Sequence, residues 1–151
     1  MMRAVLPALL LAACATAPGK PATTGYDAAL AGRLGADERG MKMYVLVILK
    51  TGPATVPKAE QTDLFRGHMA NIKRLADEGK LAVAGPFDEN PSHYEGIFVF
   101  TVPTIDAAKA LLATDPAVAR GLLAYDAYNW YGTAAMQELP ALHARIDRTR
   151  R

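Results

Sequence analysis

One segment of the chain, Met43-Tyr44-Val45-Leu46-Val47-Ile48-Leu49, is apolar throughout and rich in β-branched residues. Such a run predicts a strand that is buried on both faces. In a chain of 151 residues, helices can cover one face of a sheet, but the other face needs a second layer. We therefore expect a second copy of the same sheet to supply that layer, as a homodimer through the sheet face.

The segments that follow alternate between helix and strand patterns. The predicted elements are a helix at 58–78 and strands at 81–84, 97–102 and 125–131. Gly85-Pro86 is expected to end the second strand. Thr104 is expected to cap a second helix that ends before Asp115-Pro116. The order β-α-β-β-α-β predicts an α+β fold of the ferredoxin-like type.

Two helical segments flank this domain, which we place at 41–132. An amphipathic helix is predicted within 26–40 and is expected to end at Gly40. The segment 133–151 is predicted to be a C-terminal helical extension, in two pieces or kinked, because Pro140 interrupts the pattern. From residue 26 onward the chain is long enough for one domain.

The first 25 residues have the composition of an export leader. Arg3 precedes a short apolar run, and small residues then lead into Cys14, the only cysteine. This pattern predicts a signal peptide over 1–13 and a flexible tether over 14–25. The order Leu11-Ala12-Ala13-Cys14 resembles the bacterial lipobox, which implies lipidation of Cys14 and contact with the membrane through this anchor only.

The resemblance to a lipobox also implies a location. It places the domain in the cell envelope, facing the periplasm, and Ala15 after the cysteine favours the outer membrane. Two other interpretations stay open: Cys14 can be an ordinary buried thiol, or translation can begin at Met41 or Met43, which would leave a shorter cytoplasmic form.

Charge and motif content exclude several classes of function. The formal net charge is +2. Four arginines against one aspartate after position 144 contribute more than this whole charge, so the rest of the chain is close to neutral. The near-neutral remainder argues against nucleic acid as a partner. The sequence has no glycine-rich phosphate loop, no spacing typical of metal ligands and no nucleophile elbow. We therefore predict neither a cofactor nor a metal.

His68 is the first candidate for chemistry. Leu64 and Ile72 lie four residues before and after it, so it falls on the apolar face of the predicted helix. It is either a core histidine satisfied by a hydrogen bond, or a general acid/base in a partly dry cavity. His93, in a polar loop, and His143, near the end of the last helix, are predicted to be surface residues.

Asp115 is the second candidate. It precedes Pro116, as expected for a helix N-cap followed by proline at the first helical position. Capping uses one carboxylate oxygen, which leaves the other available to a cavity. Both interpretations of this residue therefore stay open.

Short motifs follow one another in a specific order along the domain. They are Tyr44-Val45-Leu46, Arg66-Gly67-His68-Met69, residues 75–81, Ala84-Gly85-Pro86, residues 113–118 and an aromatic strand with Trp130. Together they resemble the YciI-like family, also called the YCII-related domain, over about residues 43–131. The resemblance implies a dimeric α/β barrel, in which two ferredoxin-like sheets pack face to face.

The resemblance also implies a site. Each subunit would hold a pocket with a His-Asp pair, here His68 and Asp115, and with Gly85-Pro86 nearby. Relatives act on small ring compounds by dehydrochlorination or lactone isomerisation, so the implied step is proton transfer by the histidine, with the aspartate orienting the imidazole. Arg66 and Arg120 are available to hold an anionic substrate.

Three functions are compatible with these observations. The first is an acid/base enzyme without a cofactor, of the isomerase, lyase or hydrolase type, acting on a small anionic molecule. The second is a non-catalytic periplasmic lipoprotein that binds a ligand or takes part in assembly. The third is a structural lipoprotein whose C-terminal helix meets a partner.

Overall fold

The computed structural model describes residues 25–149. The predicted signal peptide, Cys14 and the tether up to residue 24 lie outside this part of the chain. The helices are α1 Ala28–Leu34, α2 Lys58–Asp77, α3 Ile105–Leu112, α4 Pro116–Ala119 and α5 Leu139–Ile146, with a 3-10 helix at Ala134–Glu138. The strands are β1 Met41–Thr51, β2 Leu81–Pro86, β3 Tyr94–Phe100 and β4 Leu123–Thr133.

The four strands form one antiparallel sheet in the order β2-β3-β1-β4. The central strand β1 pairs with β3 and β4, and Val47 lies opposite Phe98 on one side and Ala127 on the other. Helices α2 and α3 follow β1 and β3 in the chain, as in the ferredoxin-like β-α-β-β-α-β arrangement. The α+β fold that the sequence predicts is confirmed.

The core lies between the sheet and the helices. Val45, Val47 and Leu49 point to this face of β1 and are buried. They belong to one apolar cluster with Leu75 of α2 and Leu112 of α3. We call this face of the sheet the helix face.

The opposite face of the sheet, which we call the open face, is covered less completely. Leu46 and Ile48 alternate with the core residues of β1 and are only half-buried. Tyr128, the cross-strand neighbour of Leu46, is 52% exposed. Within one chain, the predicted burial of β1 on both faces is therefore complete only on the helix face.

The C-terminal extension reaches from one edge of the sheet to the other. The 3-10 helix follows β4 at one edge and contacts β1 and also β2 at the other edge. At the start of β1, the Tyr44 hydroxyl donates to the Thr133 carbonyl over 2.9 Å, and its ring lies 6.0 Å from that of Trp130. These contacts leave Tyr44 only 1% exposed.

The first helix is shorter than the sequence predicts. It ends at Leu34, and not at Gly40, because Gly35 adopts a left-handed conformation with φ of 62° and its N–H donates to the carbonyl of Gly32. Asp37 then accepts hydrogen bonds from the backbone of Arg39 and Met41, which turns the chain into β1. Gly40 lies in this turn.

Two predictions that involve proline are confirmed with altered bounds. β2 does end at Pro86, but Gly85 and Pro86 are its last two residues, because β2 is an edge strand, where proline costs no bond of the inner ladder. The C-terminal extension is in two pieces that meet between Glu138 and Leu139. Pro140 lies in the first turn of α5, where its missing N–H has no helical partner to lose.

Among the helices within residues 25–149, none is both long and apolar enough to cross a bilayer.

Candidate functional site

His68 lies near the middle of α2, on the side that faces the sheet. The residue is 7% exposed. The imidazole stacks on the Phe98 ring of β3 with centroids 5.8 Å apart and meets the edge of the Phe65 ring at 5.9 Å. The imidazole is therefore held on two sides by aromatic rings.

Asp115 is the N-cap of α4, as the sequence predicts. Its Oδ1 accepts a hydrogen bond of 2.9 Å from the Ala117 N–H, and Pro116 occupies the first turn. The residue is fully buried, at 0% exposure. Its other oxygen, Oδ2, lies 2.7 Å from His68 Nδ1. Capping and pairing thus use different oxygens of one carboxylate.

Close packing of two helices brings this pair together. Gly67 of α2 lies against Pro116 of α4, and a Cβ atom at position 67 would come within 2.6 Å of the Pro116 Cγ. Because glycine has no side chain there, α2 can approach the start of α4 closely enough for His68 to reach Asp115.

A second polar contact fixes the turn before Asp115. Arg74 Nη2 donates to Asn71 Oδ1 over 2.7 Å and to Thr114 Oγ1 over 2.9 Å. Asn71 is buried on the same helix as His68. The turn that carries Asp115 is therefore tied to α2 at two points.

The hydrogen bond links the tautomer of the imidazole to the charge of Asp115. With Asp115 as a carboxylate, which only accepts hydrogen bonds, Nδ1 carries the proton and donates to it. In the neutral ring, Nε2 then holds the lone pair. Within residues 25–149, every buried side-chain nitrogen or oxygen has a hydrogen-bond partner. His68 Nε2 has no partner among these residues, so this nitrogen is not buried and solvent can reach it.

A cavity of about 460 Å³ lies beside His68. Leu49, Phe65 and Phe98 contribute apolar wall, and its polar side chains besides His68 are Glu95 and His143. Its volume is in the range of small-molecule sites, which are mostly apolar with a few polar groups. A small molecule in this cavity can reach the open nitrogen of His68.

The predicted site residues divide into two groups. Gly85 and Pro86 of β2 form part of the cavity wall, near His68, as the family resemblance implies. Arg66 and Arg120 do not line the cavity; Arg66 pairs with Asp63, and Arg120 Nε donates to Glu60 Oε1 over 2.8 Å. The interpretation of these arginines as substrate ligands in this cavity is corrected, because both side chains are exposed and already paired.

Sequence reasoning missed two polar residues of the cavity, His143 and Glu95. The i, i+3, i+4, i+7 spacing of Phe65, His68, Met69 and Ile72 did contain a signal, since all four line the cavity. No comparable signal marks His143, because its place depends on where α5 packs.

Within residues 25–149, no group of three or more histidine, cysteine, aspartate or glutamate side chains is arranged to hold a metal ion.

Comparison with known proteins identifies the family. The model of the YCII-related domain matches residues 43–130, and the chain belongs to this family. Family membership fits an enzyme-like function on a small molecule. No curated protein matches the chain.

One similar solved structure is the 5-chloro-2-hydroxyhydroquinone dehydrochlorinase from Burkholderia phenoliruptrix AC1100, in complex with 2,5-dihydroxybenzoquinone. It is 19% identical, the match covers 57% of this chain and 92% of that chain, and the TM-score is 0.41.

Proposed function

We propose that this protein is an acid/base enzyme that moves a proton on a small anionic molecule without a cofactor, with His68 as base and acid. The observation that carries this proposal is the 2.7 Å hydrogen bond between His68 Nδ1 and Asp115 Oδ2 beside a cavity of about 460 Å³. The pair is compatible with isomerase, lyase or hydrolase chemistry.

In the proposed step, His68 Nε2 removes a proton from a carbon that a neighbouring carbonyl makes acidic. The C–H electron pair moves into the carbonyl to give an enolate, and the ring becomes an imidazolium. Asp115 stabilises this cation and keeps the ring in place. In an isomerisation, the imidazolium then returns the proton to another carbon of the enolate. In an elimination, the enolate pair forms a C=C bond as the bond to the leaving group breaks, and the imidazolium protonates the departing group.

The proposal includes a homodimer through the open face. Leu46 and Ile48 are half-buried there, and Tyr128 is 52% exposed. A second copy of the sheet would cover these side chains and complete the second layer.

The proposal also includes attachment to the cell envelope. The leader sequence up to Cys14 supports a lipid anchor on that cysteine, and the segment after it supports a tether to the domain. The domain would then face the periplasm, with the outer membrane favoured by Ala15.

A non-catalytic ligand-binding or assembly lipoprotein is the second candidate. One observation favours it: both oxygens of Asp115 make contacts that also stabilise the fold, one with the Ala117 N–H and one with His68. In that case the pair secures α4 against α2, and the cavity holds a ligand without changing it.

A test in deuterated water separates these candidates. Small cyclic ketones, lactones and ring carboxylates are incubated with the unsubstituted chain, with His68→Gln and with His93→Asn as a matched control. We expect deuterium incorporation or product with the unsubstituted chain and with His93→Asn, and its loss with His68→Gln while the fold stays intact.

Other outcomes contradict the enzyme. Thermal stabilisation by a compound that shows no exchange, equal in the unsubstituted chain and in His68→Gln, favours the binding module. Unfolding of the His68→Gln chain favours a core histidine.

A further inference from the structure

We propose that the C-terminal extension belongs to the ligand site, and that His143 of α5 holds an ionised oxygen of the bound molecule. This inference rests on the proposed function only in that the cavity takes a small molecule. It assigns a specificity-determining role to a residue outside the family domain, which ends at residue 130.

His143 is placed to meet a ligand. It lines the cavity that His68 also lines, although the two residues belong to different helices. Its imidazole makes no hydrogen bond to another side chain within residues 25–149, and the residue is exposed. The ring is thus free to donate an N–H to a ligand.

The extension is braced from outside the family domain. Gln137 of the 3-10 helix donates to the Leu34 carbonyl at the end of α1 over 2.5 Å and accepts from Lys42 Nζ over 3.0 Å. Arg33 of α1 pairs with Glu138 at 2.7 Å. Helix α1 and the extension therefore form one unit, which sets the start of α5 and with it the place of His143.

Charged and polar groups are distributed unevenly within the cavity. A second groove lies between β2 and the start of α5, where Leu81 and Leu139 line it. His143, Ile72 and Ala84 line both this groove and the cavity, so they lie at the end of the cavity next to the groove. Glu95 lies farther along the sheet, since its carbonyl accepts from the Phe87 N–H. Phe87 follows Ala84 by three residues, which is roughly 10 Å of extended chain.

This separation gives the cavity two different ends. An anionic group meets a hydrogen-bond donor at the His143 end. The other end holds Glu95, whose carboxylate accepts from Thr51 Oγ1, so the His143 end favours the anion. The cavity wall also includes the Phe65 ring, which is 39% exposed and offers a surface for a planar apolar body. The ligand class is therefore a small planar ring that bears a carboxylate or another ionised oxygen.

The test uses benzoate and its uncharged analogue benzyl alcohol as probes. Ligand-observed NMR gives Kd for the full chain, for His143→Leu and His143→Lys, and for His93→Asn as a control histidine outside the cavity. We expect the unsubstituted chain to prefer benzoate, and His143→Leu to weaken benzoate binding roughly tenfold while binding of benzyl alcohol stays unchanged. His143→Lys, which keeps an N–H donor at this position, should restore the preference, and His93→Asn should not alter it.

Three results overturn the inference: no preference for benzoate in the unsubstituted chain, the same preference in His143→Leu, or an equal loss of both probes in that variant. Because these measurements involve no turnover, they stay informative if His68 proves not to be catalytic. Conversely, if deuterium exchange depends on His68 but His143→Leu leaves benzoate binding unchanged, the proposed function stands and the inference about His143 fails.

Discussion

His68 Nδ1 and Asp115 Oδ2 lie 2.7 Å apart, although the residues are separated by 47 positions in the chain. The aspartate is held as the N-cap of α4, and the imidazole is held between Phe65 and Phe98. Both partners are thus fixed before any ligand arrives. Such preorganisation lets the carboxylate stabilise a positive charge on the ring without rearrangement.

Replacing Asp115 by asparagine is expected to lower turnover by roughly 100-fold or more, because the amide cannot balance the charge of the imidazolium. Its side-chain oxygen can still accept from the Ala117 N–H, so the fold should persist. Steady-state kinetics and thermal melting check the two effects. Unchanged turnover in a folded Asp115→Asn chain would contradict the role of the pair.

Gly67→Ala is expected to destabilise the protein by about 1–3 kcal/mol, because the new Cβ would lie 2.6 Å from the Pro116 Cγ. The helices must then separate, which also lengthens the contact between His68 and Asp115. Denaturant unfolding measures the loss. Gly32→Ala is the control, since a Cβ there meets nothing within 4 Å, and it should stabilise α1 by about 0.5–1 kcal/mol.

Local sequence signals predicted the strands, the helix of His68 and the cap at Asp115. Each depends on neighbours in the chain: the 3.6-residue period around His68, and a proline directly after Asp115. The contact between the two residues could not be derived in that way. It depends on how closely α2 and α4 pack, and the cause, a glycine against Pro116, is visible only in three dimensions.

Long-range packing also decides the features that the sequence predicted only in part. Gly85-Pro86 is typical of a strand end and β2 does end at Pro86, but both residues still pair with β3 because the strand lies at the edge of the sheet. His143 has the pattern of a surface residue, and it does remain exposed, yet the bracing of the extension by α1 brings it to the cavity. Arg66 and Arg120 suggest anion binding by charge alone, but both pair with nearby carboxylates.

Tyr128→Lys is expected to shift the protein from dimer to monomer, because a charge would be placed on the open face, next to Leu46 of the central strand. The helix face is untouched, so the thermal transition of the monomer should stay cooperative. Sedimentation velocity measures the change, with Tyr26→Lys as the control, since Tyr26 is an exposed tyrosine ahead of α1. A monomeric unsubstituted chain, or an unchanged dimer in Tyr128→Lys, would contradict assembly through this face.

Tyr131→Phe is expected to remove a pH-dependent contribution to stability. Two hydrogen bonds hold the pKa of the Asp37 carboxyl below its usual value: the larger effect comes from the Tyr131 hydroxyl, and the next from the Met41 N–H. A lowered pKa stabilises the fold above the unfolded pKa, and this stabilisation is lost as the pH falls. The difference in unfolding free energy between the two chains should therefore shrink below about pH 4. A difference that grows towards acid would refute this assignment.

The most direct test of the central claim is heteronuclear NMR of the His68 imidazole nitrogens at about pH 8, where an imidazole is ordinarily neutral. We predict a proton on Nδ1, a lone pair on Nε2, and loss of this fixed pattern in Asp115→Asn. A proton held on Nε2 in the unsubstituted chain, or a pattern that Asp115→Asn leaves unchanged, would contradict the proposed pairing.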